Sequence, residues 1–437
     1  MMKKIKLSKL DEVIYEETLD NGLKVFIYKM KGFVKKYACF ETRYGSINNN
    51  FVPEGSDSLK RFPLGIAHFL EHKLFESNEN ENVFKVFEDN GAYVNAATSY
   101  EKTYYYFDTV DNFDKCLTTL IDFVQSPYFT DETVEKEKGI IGQEMDMRHD
   151  NTNLFLYEKL INNGLNNIYY KDSIIGTKSS IDKITKEDLY KCYNTFYNPS
   201  NMYLVIVGDI DEEKTLSLIK ENQSKKEFKK NINIKQEEKE EPLSIRVKEK
   251  VYKRDVNTKK IGYLYKMNHK KLNDMDDFMF KRYINIYLRI LFGETSSFSK
   301  ELIKDNIINS YFDYDIMFFK DLNNTFIINF FSDVIDKDAL DKRLSDKLNE
   351  KTDMKYFFNL FKKNYLAQYI KGFSNVFDAA GFIRSSYHNY GKILDNLYDY
   401  YEKLNYEDFI KTINKLDFSN YCTVIIDKKE GENNAWS

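Results

Sequence analysis

Residues 184–211, ITKEDLYKCYNTFYNPSNMYLVIVGDID, recur in outline at 404–430, LNYEDFIKTINKLDFSNYCTVIIDKKE. Each copy opens as a capped amphipathic helix, passes an Asn/Ser turn and ends in a strongly apolar strand, Tyr203 to Val207 and Cys422 to Ile426. The pairs Glu187-Asp188 and Glu407-Asp408 lie 220 residues apart. A solenoid repeats every 20–50 residues or so, and this spacing implies instead two similar domains in tandem. A chain of 437 residues is also too long for one ordinary core.

Working outward, GLKVFIYK and KYACFETRYG alternate apolar and polar residues and predict strands, whereas residues 64–76 predict a helix. GAYVNAATS and KTYYYFDTV predict a hairpin turning through Tyr100-Glu101, followed by helices at 114–125 and 130–147. The second half repeats the mixture, with a helix at 274–292, strands near 310–333 and helices from 336 to about 415. The expected class is therefore α+β, two similar sandwich domains whose antiparallel-rich sheets are covered by helices. The expected boundaries are 1–222, a polar Lys/Glu-rich linker and first strand at 223–250, and 251–437.

Composition narrows the function. A net charge of −4 supplies no electrostatic footprint for nucleic acid or an anionic membrane. No apolar run approaches the length of about 18 residues needed to span a bilayer, and MMKKIKLSKLDEVIYEE has no apolar core of signal-peptide length. Cys39, Cys116, Cys192 and Cys422 are scattered, with no CxxC, so neither a disulfide framework nor a thiolate metal site is indicated. A reducing, cytoplasmic setting is expected. The 34 Tyr and 34 Phe read as core filling.

Two of the five histidines fall in LGIAHFLEHKLFE, residues 64–76. On a helix His68 and His72 sit one turn apart on one face, about 6 Å between Cβ atoms, close enough to share a metal ion. Neutral imidazoles at this spacing suit Zn²⁺, and Glu71, on nearly the same face, can take a proton from an activated water. The order His-x-x-Glu-His is the inverzincin signature. Phe69 and Leu70 between them fit a helix whose other face is packed in a core. Surface histidines on an amphipathic helix are the alternative.

A third ligand is required, and DETVEKEKGIIGQEMDMRHD (131–150) offers Glu135, Glu137, Glu144, Asp146 and His149. Glu137 and Glu144 are two turns apart on one face, and the small apolar Gly139-Ile140-Ile141-Gly142 between them predicts close approach to another helix. Glu132, Glu135 and Asp146 fit a solvated surface, and His149 is expected in a loop.

Together these segments resemble the pitrilysin/insulinase/mitochondrial-processing-peptidase family of zinc peptidases. The resemblance covers nearly the whole chain, through NGLKVFIYK, YGS, GIAHFLEH, GAYVNAATSYEKTYYYF, VEKEKGIIGQEM and NPSNMYLVIVGDID. It is greatest to the small two-domain bacterial, YmfH-like branch, with DFVQSPYFTDETVEKEKGIIGQEM as its mark. The resemblance implies one Zn²⁺ per chain on His68, His72 and Glu144, with Glu71 as general base and Glu137 orienting a ligand. It further implies that a peptide adds as a strand beside Ala92 to Thr98, against Asn95, Ala96 and Thr98. The implied activity is that of a zinc metalloendopeptidase subunit acting on short or unfolded peptides in an enclosed chamber, the chain forming half of a clamshell.

One departure matters. The family's second domain usually carries an Arg and a Tyr that contact the substrate carbonyl, and the matching stretch here is ELIKDNIINSYF from Glu301. Ile303 and Ser310 stand at those positions, with Tyr311 out of register and Lys304 a poor bidentate donor. The expected partner is a paralogous zinc-less chain in a heterodimer, with a homodimer as the other arrangement. A catalytically silent peptide-binding or scaffold subunit is the competing function.

Overall fold

A computed structural model describes residues 2–76, 82–167, 169–229, 233–237, 240–272, 275–319, 324–350 and 353–429. Within the polar bridge expected at 223–250, residues 230–232 and 238–239 lie outside the described residues. The chain forms two compact units. One comprises Met1–Met145, Ser173–Glu237 and Leu366–Asp399, the other Asp146–Asp172, Glu238–Tyr365 and Tyr400–Ser437. Neither unit is one contiguous half of the sequence, because each takes in a helical segment from the other's stretch of chain. Helix Thr152–Gly164 packs on the second unit's sheet, and helix Val376–Tyr390 packs on the first unit's sheet.

The first unit is built on β1 (Lys3–Lys6), β2 (Val13–Thr18), β3 (Lys24–Lys29) and β4 (Lys36–Thr42). A small two-stranded sheet, β5 (Asn50–Phe51) with β6 (Lys60–Arg61), precedes the hairpin β7 (Ala92–Thr98) and β8 (Thr103–Thr109); β9 (Met202–Gly208) comes last. The large sheet runs β1-β2-β3-β9-β4-β8-β7, antiparallel throughout except where β3 and β9 pair in parallel. Strand β9 is buried along its whole length, which accounts for its unbroken apolar run Met-Tyr-Leu-Val-Ile-Val.

The two faces of this sheet meet different partners. Ala38 and Phe40 of β4, Leu204 and Ile206 of β9, and Tyr105 and Phe107 of β8 join one apolar core with Ile66, Phe69 and Leu70. From the intervening positions, Phe26 and Tyr203 pack on Tyr387 of helix Val376–Tyr390, with ring centroids 4.9 and 4.8 Å apart. On that face Glu41 is completely buried. It accepts from Arg384 Nε at 2.8 Å, lies 3.2 Å from Lys102 Nζ and 3.4 Å from His388 Nδ1, and is bonded by the Tyr203 hydroxyl. Burial alone would raise its carboxyl; His388, Lys102, Arg384 and Tyr203 outweigh that and bring it down to about 2.

The second unit holds β10 (Glu249–Arg254), β11 (Lys260–Asn268), β12 (Phe312–Phe319), β13 (Thr325–Asp333) and β14 (Tyr421–Lys428), ordered β10-β14-β11-β13-β12. Only β10 and β14 pair in parallel. This is the order of β3-β9-β4-β8-β7 strand for strand: the first strand lies parallel to the last, and the last separates the first two. The repeat seen at 184–211 and 404–430 thus supplies the corresponding interior strand, β9 and β14, to two sheets that share this five-strand order. Among the described residues no helix is long and apolar enough to cross a membrane.

Candidate metal centre

Helix Ile66–Lys73 starts at Gly65, which has φ +86°; a Cβ there would meet Ile175 O at 2.4 Å. Gly176 answers from the other side, with φ +78° and a Cβ that would meet Leu64 O at 2.4 Å. The Ser180 hydroxyl also donates to Leu64 O at 2.8 Å. These contacts fix where the helix begins. Ile66, Ala67, Phe69 and Leu70 are fully buried, leaving His68, Glu71 and His72 on the remaining face. Lys73, also buried, pairs with Glu76.

Helix Asp131–Asp150 buries Val134, Glu137 and Ile141, one stripe at helical spacing, and sets Glu144 one turn further on. Glu144 Oε2 lies 3.6 Å from His68 Nε2 and 3.8 Å from His72 Nε2. Ligand atoms of these three residues all fall within 4.8 Å of one another, separations that bonds of about 2.0–2.2 Å to one ion can close. His72 Nδ1 is 2.8 Å from Glu137 Oε1. With Nδ1–H donating to Glu137, the Nε2 lone pair of His72 is aimed at the other two ligands. Burial alone would lower the His72 pKa; the Glu137 hydrogen bond and the charges of Glu71, Glu137 and Glu144 outweigh it and raise it. Two imidazoles and a carboxylate are a donor set that zinc accepts, so the residues present fit the ion.

Glu71 is 7% exposed and accepts a hydrogen bond of 2.6 Å from the Thr98 hydroxyl. Burial lifts its carboxyl above the usual range and Glu144 adds to the rise, against the Thr98 hydrogen bond and the His72 charge. A carboxylate tuned upward is a better proton acceptor near neutrality. Strand β7 forms the edge of the sheet. On it Asn95 is exposed, donating to the Tyr93 hydroxyl at 2.8 Å and accepting from the Ala96 amide at 2.8 Å. Ala96 is half-buried against the core that holds the histidine helix.

Some local expectations fail. His149 lies on the helix rather than in a loop, because the next helix is capped by Asn151 with no loop between. It is exposed and turned to Arg254, whose guanidinium donates to the His149 carbonyl at 2.6 Å. Gly139 and Gly142 do not mediate close approach to another helix among the described residues, since a Cβ on either would meet none of their atoms within 4 Å. Glu132 and Glu135 are exposed, as expected of a solvated face. Sequence reasoning missed the Gly65–Gly176 contact and the bond from Thr98 to Glu71; only the glycine directly before the helix left a sign.

Comparisons place these features. The family model of the insulinase peptidases (peptidase family M16) matches residues 51–178, and that of the peptidase M16 inactive domain matches residues 183–350. YmfH of Bacillus subtilis, an uncharacterized zinc protease, is 44% identical over 317 residues, 72% of this chain and 73% of that protein. The crystal structure of an M16-like peptidase from Alicyclobacillus acidocaldarius superposes with a TM-score of 0.86 at 29% identity, over 96% of this chain and 99% of that one. The periplasmic protease PqqL of Escherichia coli shares the fold at 18% identity and a TM-score of 0.70, over 97% of this chain but 48% of that one. With both family models matched and a relative at this identity aligned over most of its length, the chain belongs to the insulinase family of peptidases.

Proposed function

We propose that this chain is the zinc-bearing subunit of a metalloendopeptidase that hydrolyses short or unfolded peptides. The observation carrying the reading is the convergence of His68 Nε2, His72 Nε2 and Glu144 Oε2 beside the buried Glu71. Among the described residues this is the one group of His, Cys, Asp or Glu side chains placed to hold an ion, which supports one zinc per chain. When bound there, zinc supplies a Lewis acid that acidifies a water and polarises a carbonyl. Glu137 holds His72 in the ligating tautomer. Glu71 takes the proton of the attacking water and returns it to the departing amine nitrogen. The edge strand β7 offers an extended peptide main-chain pairing beside Asn95 and Ala96, a mode tolerant of side-chain identity.

The second unit supports a two-chain enzyme. Ser310, where an Arg/Tyr pair would end, donates its hydroxyl to Asp333 at 2.9 Å, and Ile303 is an exposed aliphatic. PqqL is about twice as long as this chain, in keeping with an active form made of two such halves. The four cysteines are buried and unpaired, which fits a reducing cytoplasm. The same Ile303 and Ser310 favour the second reading, a silent peptide-binding subunit. Glu71→Gln decides between them. Retained zinc with cleavage lost by about 10³-fold or more supports catalysis, and unchanged cleavage overturns it.

A further inference from the structure

The Thr98 hydroxyl closes a chain of bonds that begins at Glu71. It lies 2.6 Å from Glu71 Oε2 and 3.2 Å from Thr103 Oγ1, and the Thr103 hydroxyl donates to Tyr44 O at 2.8 Å. Thr103 and Tyr44 are fully buried. A peptide carbonyl only accepts, so the Thr103 proton is committed to Tyr44 O and Thr103 Oγ1 is left as an acceptor. Thr98 has one proton and two acceptors. An ionised carboxylate is the stronger of the two, so Thr98 donates to Glu71. No buried donor is stranded in this arrangement.

We propose that Thr98 is a positioning residue for the general base, holding the Glu71 carboxylate in one place, with Thr103 and the Tyr44 carbonyl as fixed backing. The side chain that the family resemblance assigned to substrate is therefore turned to the base. This rests on the reading of Glu71 given above. Holding a carboxylate within a few tenths of an ångström of the reacting water is worth rate, because misplacement of the base is felt in the chemical step and not in peptide affinity.

The test uses the full chain as Thr98→Val, which keeps the shape and removes the hydroxyl, and Thr98→Ser, which keeps the hydroxyl. Thr98→Val lowers kcat about 10- to 100-fold with KM within about twofold and zinc stoichiometry unchanged, and Thr98→Ser restores most of the rate. The Glu71 carboxyl ¹³C resonance, identified by its loss in Glu71→Gln, moves in zinc-free Thr98→Val protein and returns in Thr98→Ser. That readout needs no turnover. If it moves while even the unaltered chain mixed with an Arg/Tyr-bearing homologue cleaves nothing, Thr98 still positions the carboxylate and the peptidase reading falls. A resonance that stays put, a rise in KM at constant kcat, or a serine variant as impaired as the valine one overturns the inference.

Discussion

His72 uses both ring nitrogens, one facing the ligand cluster and the other donating to a carboxylate 2.8 Å away that is itself buried. Replacing Glu137 with Ala frees the ring to turn and to take the wrong tautomer. Metal affinity, measured by chelator competition, then falls about 10- to 100-fold; Glu137→Gln loses less, because its Oε1 still accepts. An unchanged affinity in Glu137→Ala would remove the residue from the site. At this scale the sequence was informative where chemistry follows helical spacing. His68, Glu71 and His72 are neighbours in one helix, and Glu137 and Glu144 are seven apart in another. It gave Thr98 to the substrate strand and was silent on its bond to Glu71, 27 residues away, because only the packing of the hairpin on the helix brings their side chains together.

Helix Val376–Tyr390 is tied to the first unit's sheet by a charge cluster with two opposing titrations. The Glu41 carboxyl is depressed to about 2, so its contribution to stability is full above its ordinary value of about 4.5 and is lost as pH falls toward 2. Burial alone would lower His388; Glu101, 3.2 Å from its Nε2, and Glu41 raise it instead. The His388 contribution is full below its ordinary value of about 6.5 and is lost as pH rises through the elevated one. Amide exchange in this helix is therefore slowest between about pH 4.5 and 6.5, after correction for intrinsic rates. His388→Gln abolishes the loss on the alkaline side; a flat profile in the unaltered chain refutes the account. Strand and helix periodicities were legible, since β7, β8, β9 and β14 lie where alternation or apolar runs placed them. Which unit this helix joins was not legible, because its docking depends on a buried carboxylate more than 340 residues away.

On the scale of the whole molecule, the tandem repeat was legible from two matching segments, and the common strand order of the two sheets bears it out. The exchange of helical segments between the units left no sign in composition. The proposed pairing makes a kinetic prediction. Zinc-loaded chain alone cleaves an unstructured fluorogenic peptide at least about 10²-fold more slowly than the same chain mixed with a homologue that carries the Arg/Tyr segment. Equal rates alone and mixed would show that this chain needs no such donor.

In each sheet one interior strand, β9 between β3 and β4 and β14 between β10 and β11, is the last of its sheet to be synthesised. Until β9 arrives, β3 and β4 have nothing to pair with on their facing edges, although more than 150 residues of chain already follow them. Vectorial synthesis therefore produces each sheet with an interior strand missing, and both cores close only by long-range strand insertion. Such closure is slow, because loop entropy is lost before the pairing forms. It also leaves apolar strand edges open to wrong partners, so the nascent chain is at its most aggregation-prone just before each of these strands is delivered.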